Sequence, residues 1–418
     1  MADRFDVIVV GARCAGSPLA ILLARAGMRV CVVDRARFPS DTASTHGVQP
    51  SGVKILGRLG VLEALLQVTP AIDRGTIAFD EARVELSDFT ELVGAPMLSA
   101  RRVTLDAVLV EAAAAAGAEV RTQTAVTGLI EQRGRVAGVK TKSGELRAPL
   151  VVGADGVHSA VARLVGAAKY DQTPAGRVFA WAYFEGAHTD DDHMWLGAIG
   201  AMASSPSPPT PVCSWLPSSP RYTAETRCSP TVRPRSPRSW PTGPSSRPPW
   251  PGRSESGRSG RCRGTASFES RPDRAGRWSE TPATSRIPRR ARASPTPSET
   301  AVELAAAIER ALGGAGGIDQ ALNDWWRWRD RDAWEMYWFA HDMGAPGAPP
   351  LLVQAIQRRI AADPQLTEGL LRVLNHDVAP SKLFTPSLAL AATSKALLTS
   401  PGQRKTLLRE AGTLAANN

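Results

Sequence analysis

Residues 5–35 read FDVIVVGARCAGSPLAILLARAGMRVCVVDR, and no other stretch restricts the chain so tightly. Phe5–Val10 is a β-rich apolar run too short for a helix, and Arg29–Val33 is another. Between them Pro18–Ala26 is rich in Ala and Leu and is stopped by Gly27, which predicts a helix. The order strand, glycine turn, helix, strand is the opening of a doubly wound α/β domain. It also holds a dinucleotide. Gly11 lets the backbone turn sharply, and Gly16 lets the helix lie close to the strands. Ala12 and Arg13 fill the turn, where helix-start N–H groups meet a diphosphate. Asp34 ends the second strand, with Arg35 beside it, and can accept from ribose hydroxyls. The turn departs from G-x-G-x-x-G in one place: Arg13 stands where the middle glycine belongs.

Further along, Pro39–His46 is a polar loop that can reach back over a bound cofactor. Thr45 is a candidate contact, and His46 is a catalytic candidate set against a plain loop histidine. A helix is expected over Ser51–Leu59. Ile77–Leu98 alternates in short runs suited to a second sheet. Arg101 and Arg102 open a helix, where cations oppose the macrodipole unless an anion lies close. From Glu119 the runs AEVRT, AVTGLIEQ, RVAGVKTK and GELRA read as a meander that leads to the strand Leu150–Val152. That strand ends in Gly153-Ala154-Asp155-Gly156, and an acid at the C-terminal edge of an open sheet points to a ligand.

Taken in order, VIVVGARCAGSPLA, VVDRARFPSDTASTH, the R-x-x-L-D of residues 102–106 and VVGADGVHSAVAR resemble one family. It is that of the FAD-dependent monooxygenases and oxidoreductases related to p-hydroxybenzoate hydroxylase and the geranylgeranyl reductases. The resemblance covers about residues 3–166. It implies a doubly wound FAD-binding domain with a β-meander, a mixed sheet covering the substrate, and C-terminal helices. It also implies FAD contacts from Gly11, Ala12, Arg13, Gly16, Asp34, Arg35, Thr45, Arg102, Asp155 and Gly156, and NAD(P)H as electron donor. The corresponding domains are 1–170 for FAD, with strands of the substrate sheet inserted at about 75–100, and 171–202 for the start of that sheet. Residues 203–300 are an anomalous Pro/Ser/Arg-rich segment, expected to be out of frame and disordered, and 301–418 form a C-terminal helical region. Trp325, Trp328, Tyr337 and Trp338 are expected in the core of an amphipathic helix whose Arg and Asp residues face water. The last stretch, from about Ser400, reads as a polar, fraying tail.

Composition matters at one place. The net charge of +10 would suggest nucleic acid or an anionic surface, yet residues 203–300 account for all of it. They hold 17 Arg, no Lys, six acids and 19 of the 33 prolines. The family's third FAD motif, a Gly-Asp pair ahead of a helix, is absent near residue 280. The genetic code supplies it. With each codon begun one base earlier, Ser279–Pro288 can decode as VGDAGYFKDP and Ala293–Thr300 as GITDALRD. Ser204–Trp215 can decode as FVAFPTDAGLVL. Two compensating frameshifts bracketing about 203–300 explain all three strings, and weakened FAD binding by the chain as written would follow.

Five cysteines, an odd number, give no disulfide framework. The opening MADRF has no basic n-region, and no apolar run approaches the roughly 18 residues of a membrane helix. A cytoplasmic enzyme with a small-molecule substrate is expected, with no membrane span, no metal cluster and no specific nucleic acid. Three readings stay open: an NAD(P)H-using monooxygenase of a small apolar or aromatic molecule, a flavin-dependent reductase of a C=C bond, and an inactive chain whose basic segment binds anions such as RNA.

Overall fold

The computed structural model describes residues 3–42, 47–79, 82–168, 170, 180–183, 192–197, 202–205, 212–215, 297–312, 317–343 and 349–416. They fall into two compact units. The first is Met1–Thr69, Ala100–Thr173 and Asp273–Ala340, and the second is Pro70–Ser99, Pro174–Pro272 and His341–Asn418. The first opens with β1 (Asp3–Arg4), β2 (Val7–Val10), α1 (Gly16–Arg25), β3 (Val30–Val33), β4 (Gly47–Val48), α2 (Pro50–Arg58) and α3 (Leu62–Leu66). The second takes β5 (Ala71–Ile72), β6 (Arg74–Phe79), β7 (Ala82–Leu86), α4 (Phe89–Val93) and β8 (Met97–Ser99). The chain returns to the first for α5 (Arg102–Ala115), β9 (Glu119–Arg121), β10 (Val126–Gln132), β11 (Arg135–Thr141), β12 (Gly144–Arg147), β13 (Leu150–Gly153) and α6 (Ala160–Leu164). The second gains β14 (Ala180–Tyr183), β15 (His193–Gly197), β16 (Met202–Ser205) and β17 (Val212–Trp215). Helices α7 (Pro297–Leu312) and, apart from its last turn, α8 (Ile318–Met343) belong to the first. Helices α9 (Leu351–Ala361), α10 (Pro364–Leu374), α11 (Pro380–Leu383), α12 (Pro386–Thr399) and α13 (Arg404–Ala416) belong to the second.

The first unit is built on a parallel sheet ordered β13-β2-β3-β9. Every residue of β2 and β3 is buried, as apolar strands covered on both faces require. On one face Ile8, Val10, Cys31 and Val33 pack with Val139, Leu146 and Ala148 of the meander and its exit. The other face carries Val9, which touches the start of α1, and α1 also packs against α5 and α7. The expected doubly wound α/β core is present. The meander is shorter than the sequence suggests: β10, β11 and β12 pair antiparallel, whereas AEVRT forms β9 and joins the parallel sheet beside β3. Alternation within so short a run cannot tell a meander strand from an edge strand of a parallel sheet.

In the second unit the sheet runs β14-β17-β16-β15-β6-β7, antiparallel except between β15 and β6. Strand β7 alternates strictly, burying Ala82, Val84 and Leu86, and α9 and α10 pack on it. Two sequence expectations fail. The residues after Ser400 are not a fraying tail but α13, whose Leu407 is buried with Ala355, Ala392 and Ala396, and whose Glu410 Oε2 accepts from the Leu352 N–H (2.9 Å). In α8 the tryptophans are not the core. Arg329 and Ala333 are buried, Trp334 is exposed, and Trp325, Trp328, Tyr337 and Trp338 are half-buried. Arg329 can be buried because Asp330 pairs with it and the Trp325 ring lies 5.4 Å from its guanidinium carbon.

Candidate functional site

The turn between β2 and α1 is closed by its own backbone. The Gly11 N–H donates to the Val33 carbonyl and the Ala154 N–H to the Val10 carbonyl, both at 2.7 Å. These bonds bring the C-terminal ends of β3, β2 and β13 together, where the strand order reverses and open α/β sheets hold ligands. Gly11 has φ 107°, and a Cβ there would lie 2.4 Å from the Ala154 carbonyl oxygen. A Cβ on Gly16 would lie 1.8 Å from the Gly11 carbonyl oxygen. Both glycines are therefore demanded by the protein's own packing, before any ligand is considered.

Asp34 is 8% exposed. Its Oδ2 accepts from the Ala12 N–H (2.8 Å) and its Oδ1 from the Ala36 N–H (2.7 Å). The acid thus ties the turn down. A carboxylate offers about four lone-pair positions, so two remain for ribose hydroxyls. Arg35 is exposed at the start of the following loop. Thr45 and His46 lie outside the described residues.

Arg13 does not point idly from the turn. Its Nη1 donates to Asp106 Oδ2 and its Nη2 to Ser40 Oγ (2.8 Å), while the Phe38 ring lies 5.3 Å from its guanidinium carbon. Asp106 is fully buried and also holds Arg102, one helical turn earlier, through Nε and Nη2 at 2.9–3.0 Å. The Cys14 thiol donates to the same carboxylate (3.4 Å), and burial, aided by that negative charge, pushes its pKa up to about 12. The anion that settles Arg102 at the start of α5 is thus the chain's own. Asp106 escaped the sequence reading as a site residue, although its place four residues after Arg102 is a pairing signal.

Asp155 has a structural task. Its Oδ2 accepts from the Ala160 N–H (2.6 Å) and more distantly from Val161 (3.3 Å), the first N–H groups of α6, whose N-cap is Ser159. Its Oδ1 is buried with no hydrogen-bond partner. Gly156 is exposed with φ 77°. The structure thus gathers Gly11, Ala12, Arg13, Gly16, Asp34, Arg102 and Asp155 around the first unit's strand ends. Their chemistry fits a dinucleotide: spare donors on two guanidiniums, lone pairs on Asp34 and an unpartnered oxygen on Asp155.

Two polar clusters lie elsewhere. In the first unit the Tyr170 hydroxyl donates to Asp330 Oδ2 (2.8 Å) and accepts from Arg329 Nη2 (3.0 Å) and Trp326 Nε1 (3.3 Å). Burial pushes this phenol up to about 12. In the second unit the buried Thr76 hydroxyl donates to Glu85 Oε2 (2.6 Å) and lies 2.8 Å from His193 Nε2. Among the described residues no group of three His, Cys, Asp or Glu side chains could hold a metal, and no helix is long and apolar enough to cross a membrane.

Comparison with known proteins decides the family. The model described as "FAD binding domain" matches residues 4–238. The chain belongs to this family. Digeranylgeranylglycerophospholipid reductase of Methanosarcina mazei is 34% identical over 174 residues, 40% of this chain and 41% of that protein. Rifampicin monooxygenase of Streptomyces venezuelae is 30% identical over 39% of this chain and 34% of its own length. The chain therefore matches less than half the length of these curated relatives. In fold it resembles the flavin-dependent brominase Bmp2, with a TM-score of 0.65 and 15% identity over 94% of this chain and 98% of that one. It also resembles PqsL of P. aeruginosa, with a TM-score of 0.61 and 19% identity over 82% of this chain and 96% of that one.

Proposed function

We propose that the chain is an FAD-dependent oxidoreductase that takes electrons from NAD(P)H and hydroxylates a small apolar or aromatic molecule. The observation that carries this is the meeting of the FAD-family turn, near the ends of β2 and β13, with a guanidinium pair and a carboxylate oxygen that has no partner. In this reading Asp34 binds the adenosine ribose, Arg102 and the start of α1 face the diphosphate, and Asp155 Oδ1 accepts from the cofactor. FAD would supply the redox chemistry, accepting hydride from NAD(P)H and passing electrons to oxygen. The protein's part is to bind, orient and exclude water. His46 is kept as a candidate near the reacting ring. A cytoplasmic location, where NAD(P)H is supplied, is part of the same proposal.

The test is FAD and ADP binding by the purified chain, and NAD(P)H-dependent oxygen uptake with aromatic substrates by the frame-restored chain. A chain that binds neither FAD nor ADP removes the proposal. A second reading, reduction of a C=C bond, is favoured by the similarity to the methanogen reductase. Product formed without oxygen would select it.

We also propose that residues 203–300 are read out of frame and that the native chain carries the decoded Gly-Asp string ahead of α7. Resequencing the DNA from about codon 195 to about codon 305 tests this. Two compensating single-base changes are expected, and an unaltered reading frame overturns it.

A further inference from the structure

We propose that Arg13, the residue that replaces the middle glycine of the turn, is itself a ligand of the cofactor's diphosphate, aimed by Asp106. The inference rests on the FAD reading and adds a contact that the glycine pattern does not contain. Three observations carry it.

The first is charge. One buried carboxylate, Asp106, hydrogen-bonds two guanidiniums, Arg13 and Arg102, so this trio by itself carries one positive charge in excess, with the Asp41 carboxylate near enough to act on Arg102. A carboxylate this buried would be costly without partners, and two arginines are more than neutrality needs. The excess sits at the start of α1, whose first turn holds no acid and whose cap residue, Ala15, makes no side-chain cap. The dipole of that helix adds to the attraction for an anion.

The second is donor supply. A guanidinium has five N–H donors. Arg13 uses one on Asp106 and one on Ser40 among the described residues, which leaves three. Arg102 engages Asp106 through Nε and Nη2, which leaves its Nη1 hydrogens. The two forks share one anchor and keep unused donors, an arrangement suited to paired phosphate oxygens.

The third is rigidity. Asp106, Ser40 and the Phe38 ring hold Arg13 on three sides. A side chain fixed in this way loses little further freedom on binding, so each new bond contributes more to affinity.

The test compares ADP, which carries the diphosphate, with adenosine, which does not. Both are titrated by NMR into the full-length wild type, Arg13→Ala and Arg13→Met. Wild type should bind ADP, and both variants should lose about tenfold or more in ADP affinity while adenosine affinity changes less than about twofold. Arg13→Lys should recover part of the loss. An equal fall for both ligands means a purely structural clasp and overturns the proposal. Variants that match wild type for ADP overturn it while leaving the FAD reading intact. A wild type that binds no ADP overturns it, and one that binds neither ADP nor FAD removes the FAD reading as well.

Discussion

At the residue scale, the turn shows that a motif glycine can be required before its ligand arrives. Gly16 is buried against the Gly11 carbonyl and Val9 Cγ1, so Gly16→Ala must push α1 off the sheet. A loss of about 1–3 kcal/mol is expected, read as a lowered urea midpoint with no cofactor present. Tyr170 gives a pH signature. Its pKa rises from 10.0 to about 12 in the folded chain, through burial first and then its bond to Asp330. The folded state therefore holds the phenolic proton more tightly than the unfolded one. That stability is fully present below pH 10 and is lost as pH climbs to about 12. Thermal unfolding of Tyr170→Phe should show a smaller fall across that window than wild type.

At the level of elements, α6 and α13 each carry a stability prediction. Asp155 Oδ2 holds the first N–H groups of α6 beside the Ser159 cap, so Asp155→Ala should cost about 0.5–1.5 kcal/mol even without cofactor. If Oδ1 also serves FAD, flavin affinity should fall by more than the stability loss explains. Helix α13 should matter as well. Truncation after Ser400 uncovers Ala355, Ala392 and Ala396 and removes Leu407, worth about 1.5–3 kcal/mol of burial on its own. A lowered melting temperature is expected, where a fraying tail would show no change. The sequence made α1 and its flanking strands legible because Val7–Val10 and Val30–Val33 are unbroken apolar runs set beside glycines. It hid α13 because, among the described residues of that polar helix, only Leu407 is buried, which leaves little periodic signal. It hid the Arg13–Asp106 pair because 93 residues separate the partners, and only the packing of α1 on α5 joins them. It misplaced the tryptophans of α8 because residue type, without its partners, assigned Arg329 to water.

At the scale of the whole molecule, the two halves of a dinucleotide site are unequally provided. On the FAD reading, the ADP side would be built by residues within 7–163, and the remaining motif decodes only in another frame. FAD should therefore bind the chain as written no more than about tenfold tighter than ADP. A frame-restored chain should bind FAD far more tightly, a difference that fluorescence titration of the pair will read directly. The interleaving of the units has a separate consequence, for synthesis. The first unit is made of three stretches and ends only at Ala340. At ~5–20 residues per second a ribosome needs roughly 17–70 s to deliver them all. Through most of that time the surface of α1 that α7 will cover has no partner, because α7 begins at Pro297. The nascent chain must carry an apolar helix face, uncovered, for most of its own manufacture, so chaperone supply rather than final stability should set the yield of folded protein.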